Sequence, residues 1–196
     1  LSTGSHSIKV VCDAGDTYNV NIDYLALSPV PTVNTVNEAE SAILEGGASV
    51  DTNHSGYTGT GFASGFENSG PAITWRFDEP LANGDYTISM QYANGTGGDG
   101  QLTTRTMSLY IDGVKSQIAL PPTGNWDTWS VFQQNISLSA GSHIFKISYD
   151  NGDSGKVNID WLGVSPAGQP LPNTIGKFQK TNLGGGIRSL DLKSGE

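Results

Sequence analysis

Apolar and polar residues alternate along most of the middle of this chain. A period of two recurs in AITWRF (72–77), DYTISMQYA (85–93), TMSLYIDG (106–113), WSVFQQNISL (129–138), HIFKISYD (143–150) and VNIDWLGV (157–164). β-Branched and aromatic residues fill these runs, so each predicts a half-buried strand; a helix would place its apolar positions three and four apart. Turn signals separate the runs. Asn83-Gly84, Asp112-Gly113 and Ala140-Gly141 supply the residues that hairpins and sandwich corners need. No stretch predicts a helix longer than a turn or two. The pattern therefore predicts an all-β fold of two packed antiparallel sheets, a β-sandwich of jelly-roll type if the first and last strands meet.

The chain also repeats itself. Residues 1–29 lie on residues 138–166 without a gap, with about 16 of the 29 positions identical. Stretches of linker composition follow both copies, VPTVNT after the first and AGQPLPNT after the second. The expected organisation is a two-strand remnant of a similar preceding module over 1–30, a linker over 31–36, one complete module over 37–166, a linker over 167–174 and the start of another domain over 175–196. In that last part SLDLKSGE (189–196) has the form of a propeller-like strand and turn.

Composition narrows the possible partners. Of the 196 residues 26 are Gly and only 15% are charged, which suits short strands and tight turns. The formal net charge is −9, and nowhere do Lys or Arg cluster with aromatic residues. A nucleic-acid or anionic-membrane partner would require the opposite. No apolar run approaches the roughly 20 residues of a membrane span. The single cysteine, Cys12, stands where Tyr149 stands in the other copy and reads as strand filler, and one cysteine excludes a disulfide framework.

Several motifs bear on chemistry. GTGGDG (95–100) has the glycine spacing of a dinucleotide fingerprint, but a strand follows it where the fingerprint requires a helix. Glu38 and Glu40, two apart in NEAE, fall on one face of an extended segment, about 6.5–7 Å apart along it. Such a pair invites a glycosidase reading, yet two carboxylates on one strand do not flank a sugar ring. A hard cation fits better, with Asp160 of the last strand as third ligand if first and last strands are neighbours. His6 and His143 occupy equivalent turn positions in the two copies, and His54 lies in a Gly-rich loop with no second ligand nearby in sequence. Trp129 belongs to a strand run and is expected in the core. Trp126 lies on a Gly-Asn turn, where it either offers a flat face for a sugar ring or caps the end of the sandwich. The sequons at Asn53, Asn94 and Asn135 matter only in a host that glycosylates them.

The ordered set NEAE (37–40), GYTGTGF (56–62), YANG (92–95), Arg105, TGNWDTW (123–129), LSAGSH (138–143) and NIDWLGV (158–164) resembles carbohydrate-binding module family 35. The resemblance implies a structural Ca2+ held by Glu38, Glu40 and Asp160, and a sugar site in the loops at one end. Carried over by position, its contacts are Tyr57, Asn94, Arg105, Trp126 and Asn151. The ligand class stays open between uronic acids and neutral α-glucans, mannans or galactans. The function so implied is non-catalytic binding of a polysaccharide or oligosaccharide for a covalently linked catalytic domain, in a secreted, multimodular protein. The alternative is a structural or adhesion sandwich that spaces modules and binds no sugar.

Overall fold

The computed structural model describes residues 35–97 and 100–169. Expectations for residues 1–30 (Cys12 and His6 among them), for 31–34 and for everything from residue 170 onward lie outside the described residues. The elements run β1 (Thr35–Glu38), a 3-10 turn (Ala39–Ser41), β2 (Ile43–Glu45), β3 (Ser49–Asp51), β4 (Phe62–Ser64), β5 (Ala72–Leu81), β6 (Gly84–Ala93), β7 (Arg105–Ile111), β8 (Val114–Leu120), β9 (Ser130–Leu138), β10 (Gly141–Ser148) and β11 (Asn158–Pro166). All six expected strands form. β8 and the short β1 to β4 add to them, segments with too few apolar residues for alternation to stand out.

The strands make two antiparallel sheets. One has the order β3-β4-β11-β6-β9, with β1 also paired to β11; the other has the order β2-β5-β10-β7-β8. First and last strands thus meet, with Thr35 opposite Val164 and Glu38 opposite Trp161, which meets the condition for a jelly roll. Asp112-Gly113 closes a true two-residue hairpin between β7 and β8, and both residues adopt the positive φ that a primed turn needs, 49° and 83°. Asn83-Gly84 and Ala140-Gly141 instead carry the chain from one sheet to the other, as sandwich corners.

Alternation becomes burial. On β5 the side chains of Ile73, Trp75 and Phe77 point into the core while Arg76 is exposed, and on β9 Leu138 is buried while Gln133 and Asn135 are exposed. Phe77 and Phe145, from neighbouring strands of one sheet, meet edge to face at 5.0 Å. Each fully buried Leu, Ile or Phe of this kind contributes about 1.5–3 kcal/mol. β11 is different, being buried at every position before Pro166, and it is paired with β6, β4 and β1.

Two sets of turns define the ends. At one end His143, buried, joins the β7–β8 turn to the β9–β10 turn, its Nδ1 2.7 Å from Asp112 Oδ2 and its Nε2 3.1 Å from the Ser139 carbonyl. The other end gathers residues 52–61, 94–97, 100–104, 121–129 and 149–157. There the Thr123 amide donates to the Asn94 carbonyl, tying two of these segments together, and the Ser154 amide donates to the carbonyl of Thr106 in β7.

Candidate functional site

β11 does not run evenly past β6. Ile159 faces Tyr92 and Trp161 faces Gln91, which leaves Asp160 as the extra residue of a bulge. Bulges re-aim side chains, and this one places a carboxylate, fully buried, beside the end of β1. Glu38 closes β1, and the chain then turns through Ala39–Ser41, which carries Glu40. The expectation that the two glutamates share one face of an extended strand is therefore corrected. A 3-10 turn separates them, because the chain must leave one sheet to begin β2 in the other. That turn still brings them together with Asp160, so that Glu38, Glu40 and Asp160 each offer an oxygen within 4.8 Å of the others.

The loop 52–61 closes over these three groups. The Thr58 amide donates to Asp160 Oδ2 at 2.9 Å, its hydroxyl lies 3.0 Å from Glu38 Oε2, and the Thr60 amide donates to Glu40 Oε1 at 2.6 Å. Between them Gly59 has φ +66°, and a Cβ there would be strained and, 2.1 Å from Glu40 Oε1, would push that carboxylate aside. Two oxygens are left over. Asp160 Oδ1 and Glu40 Oε2 are buried without a hydrogen-bond partner, which native interiors rarely tolerate. Burial pushes the Asp160 carboxyl up to about 7, and the charges of Glu38 and Glu40 add to this. Burial raises Glu38 as well, with Glu40 contributing. Crowded, partly desolvated carboxylate oxygens with unsatisfied lone pairs are the donor set of a hard divalent cation. They could hold a metal. With Thr58 and Thr60 capping them, they have no room for a sugar between them, so the glycosidase reading finds no geometry here.

Next to this cluster, across the same loop, lies an open groove of about 270 Å³. Its walls include Trp126, His54, Asn53, Glu67, Lys156 and Asn158. Trp126 is held firmly: its Nε1 donates to the Thr96 carbonyl at 3.1 Å, and its ring lies so close to Gly95 that a Cβ there would come within 2.8 Å of it. His54 stacks 6.1 Å from Trp126 and lies 3.6 Å from Asp127 Oδ1. Asp127 accepts from the amide and hydroxyl of Ser55, and that amide bond first of all holds its carboxyl below the usual range. Lys156 reaches the groove from a left-handed backbone, φ 59°, fixed by its amide's bond to the Phe66 carbonyl.

Of the five sugar contacts expected from the sequence, Trp126 alone lines this groove. Tyr57 is half-buried against Phe62, a groove residue, at 5.5 Å. Asn151 is exposed in the β10–β11 loop, away from the lining. Asn94 and Arg105 are drawn into the sandwich. The Asn94 side chain is fully buried and donates to the carbonyls of Thr103 and Leu120, and Arg105 is 5% exposed with a bond to the Gln101 carbonyl. Both hold loops in place rather than face solvent. The expectation that Trp129 is core is corrected too. It precedes β9, is half-buried, and donates from Nε1 to the Ser55 carbonyl while packing edge-on against Phe62. His54, set aside for want of a partner in sequence, gains Asp127 because the fold brings the turn 123–129 against the loop 52–61.

A family model for carbohydrate binding module (family 6) matches residues 38–166. A 1,6-alpha-glucosyltransferase of Sporosarcina globispora is 40% identical over 167 residues, 83% of this chain. Among solved structures, a cycloisomaltooligosaccharide glucanotransferase of Paenibacillus sp., complexed with cycloisomaltoheptaose, matches at 32% identity and TM-score 0.59 over 68% of this chain. A family 35 carbohydrate binding module from Clostridium thermocellum matches 68% of this chain at 27% identity and TM-score 0.59, with 98% of that module covered. The family match and the fold define a β-sandwich carbohydrate-binding module. The chain belongs to the family that the family 6 model describes, and it is of the family 35 type. It spans 12% of the length of the glucosyltransferase and 18% of the glucanotransferase.

Proposed function

We propose that residues 37–166 are a non-catalytic module that binds α-1,6-linked glucose chains in the groove beside Trp126, around a fold stabilised by Ca2+ on Glu38, Glu40 and Asp160. The observation that carries this reading is a rigid indole edging an open polar groove, since sugars pair an apolar C–H face with a rim of hydroxyls. Relatives whose names specify 1,6-alpha-glucosyl and isomaltosyl chemistry supply the linkage. A net charge of −9, with Asp51 and Glu67 lining the groove, argues against polyuronates. Calcium would supply charge neutralisation, accepting the buried oxygens that lack partners; the side chains of this chain do the rest by holding the cluster closed. We also propose that the module works outside the cell, tethered to a catalytic domain that it keeps near polymeric substrate by effective concentration.

Binding through so shallow a groove is expected in the micromolar to millimolar range, roughly. Calorimetric titration with isomaltotriose and dextran tests it. Trp126→Ala is expected to weaken binding at least about tenfold, as loss of a central aromatic anchor does, and to lower stability somewhat, because the same ring packs on Gly95. An intact, calcium-loaded chain that binds neither ligand would overturn the reading in favour of a spacer module.

A further inference from the structure

We propose that the loop 52–61 couples the two sites, so that a cation on the acidic cluster tightens glycan binding in the groove and glycan tightens the cation in return. This rests on the function proposed above for each site. The loop has no regular structure of its own and faces both ways. Its second half, Thr58 to Thr60, caps the cluster through the two amides and one hydroxyl described above. Its first half supplies Asn53 and His54 to the groove.

Ser55 joins that half to the turn bearing Trp126. Its amide and hydroxyl donate to Asp127 Oδ1 at 2.7 and 3.2 Å, and its carbonyl accepts from Trp129 Nε1 at 2.8 Å. From Ser55 to Thr58 is three residues, a span of at most about 10 Å. Little slack remains between the anchors, because Tyr57 is wedged against Phe62. Without a cation, Thr58 and Thr60 must cap carboxylates that repel one another; with one, that repulsion becomes attraction and the cap has a single favoured position. A displacement at Thr58 is then passed to Ser55, and from Ser55 to Asn53, His54 and the Trp126 turn. Asp127 acts here as a positioning residue.

Couplings of this kind usually change affinity about 5- to 150-fold and are reciprocal by thermodynamic necessity. The test is titration of the whole chain with isomaltotriose, with calcium and after chelation, beside a titration with calcium alone. In the wild type, removing calcium is expected to weaken isomaltotriose binding at least about fivefold. Asp127→Ala, which removes two of the three hydrogen bonds between Ser55 and the turn and leaves the one from Trp129, is expected to keep calcium affinity within about twofold in the absence of glycan and to reduce the calcium-dependent change in glycan affinity by at least about twofold. In the wild type without glycan, calcium is expected to shift the backbone amide resonances of Asn53, His54 and Ser55. Each failure has its own signature. Equal isomaltotriose affinity with and without bound calcium overturns the coupling and leaves both sites standing. No calcium binding overturns the metal reading and the coupling with it, and calcium binding without any isomaltotriose binding does the same to the glycan reading.

Discussion

The acidic cluster and the Trp126 groove share one loop, yet they are built in opposite ways. In the cluster Asp160 is buried, Glu38 and Glu40 are half-buried, and two oxygens have no partner, so a cation bound there would satisfy atoms that the fold leaves unsatisfied. In the groove the indole N–H and the Asp127 carboxylate have partners within the protein, and the space is open to water. A site that leaves buried atoms unsatisfied ties its ligand closely to folding; a site that is satisfied and open stabilises the fold only by the mass action of a weaker ligand. The difference teaches where stability and recognition should separate on perturbation.

The largest effect expected is from metal removal. At calcium a thousandfold above its Kd, binding adds about 4 kcal/mol, so chelation should lower the melting temperature by roughly 10–20 °C. The loss should depend on pH. Asp160 is pushed up to about 7 from an ordinary 3.8, so the metal-free fold prefers its protonated form. That contribution is complete below 3.8 and is lost as pH rises through about 7. Thermal melts of chelated protein should therefore worsen from about pH 5 to about pH 8, and those of calcium-loaded protein should not. A chelated protein that melts as the loaded one does would erase the contrast between the two sites.

Asp160→Asn sharpens it. The amide keeps the shape and removes the buried charge, so the variant should ignore calcium and, at about pH 8, melt at least about 3 °C above chelated wild type. On the groove side, Gly95→Ala drives a methyl into the face of Trp126. Overpacking of this sort costs about 1–3 kcal/mol, and glycan affinity should fall while calcium affinity holds. Parallel titrations with the two ligands decide it.

The smallest effect lies away from both sites. Burial opposes ionisation of Asp150, but hydrogen bonds from Lys115, Tyr110 and Ser148 outweigh it and hold the carboxyl well below the usual range. Asp112 is lowered as well, its burial outweighed by the Ile144 amide and His143. Groups lowered in this way stabilise the fold above their ordinary 3.8 and lose that contribution only as pH falls through the depressed values. Asp112 is exposed and Asp150 is only partly buried, so solvent screening keeps the gain modest. Asp150→Asn should flatten the acid limb of the stability curve and leave both ligand affinities unchanged.

Much of this molecule is legible in its alternation. A run such as AITWRF names its own buried face, because a strand in a half-solvated sheet has only two sides, whereas WSVFQQNISL puts Trp129 and Val131 on the side opposite Phe132, Ile136 and Leu138, which pack on the core. Trp126 and the triad Glu38, Glu40 and Asp160 could be picked out because their residue types are conspicuous at turns and strand ends. Asn94 and Arg105 show the limit. Polar residues near a loop look like ligands in sequence, whereas here they donate to the backbone carbonyls of Gln101, Thr103 and Leu120.

The sequence by itself determined the six alternating strands, the two-residue hairpin at Asp112-Gly113, and the chemistry present at one end of the sandwich. All of these follow from local rules of periodicity, turn geometry and residue type. Only the tertiary structure decided that a bulge turns Asp160 toward the 3-10 turn of Glu40, that His54 meets Asp127, and that one loop caps the acids while lining the groove. Those pairings join residues far apart along the chain, and their distances depend on how two sheets twist, pack and exchange strands, which no local pattern records.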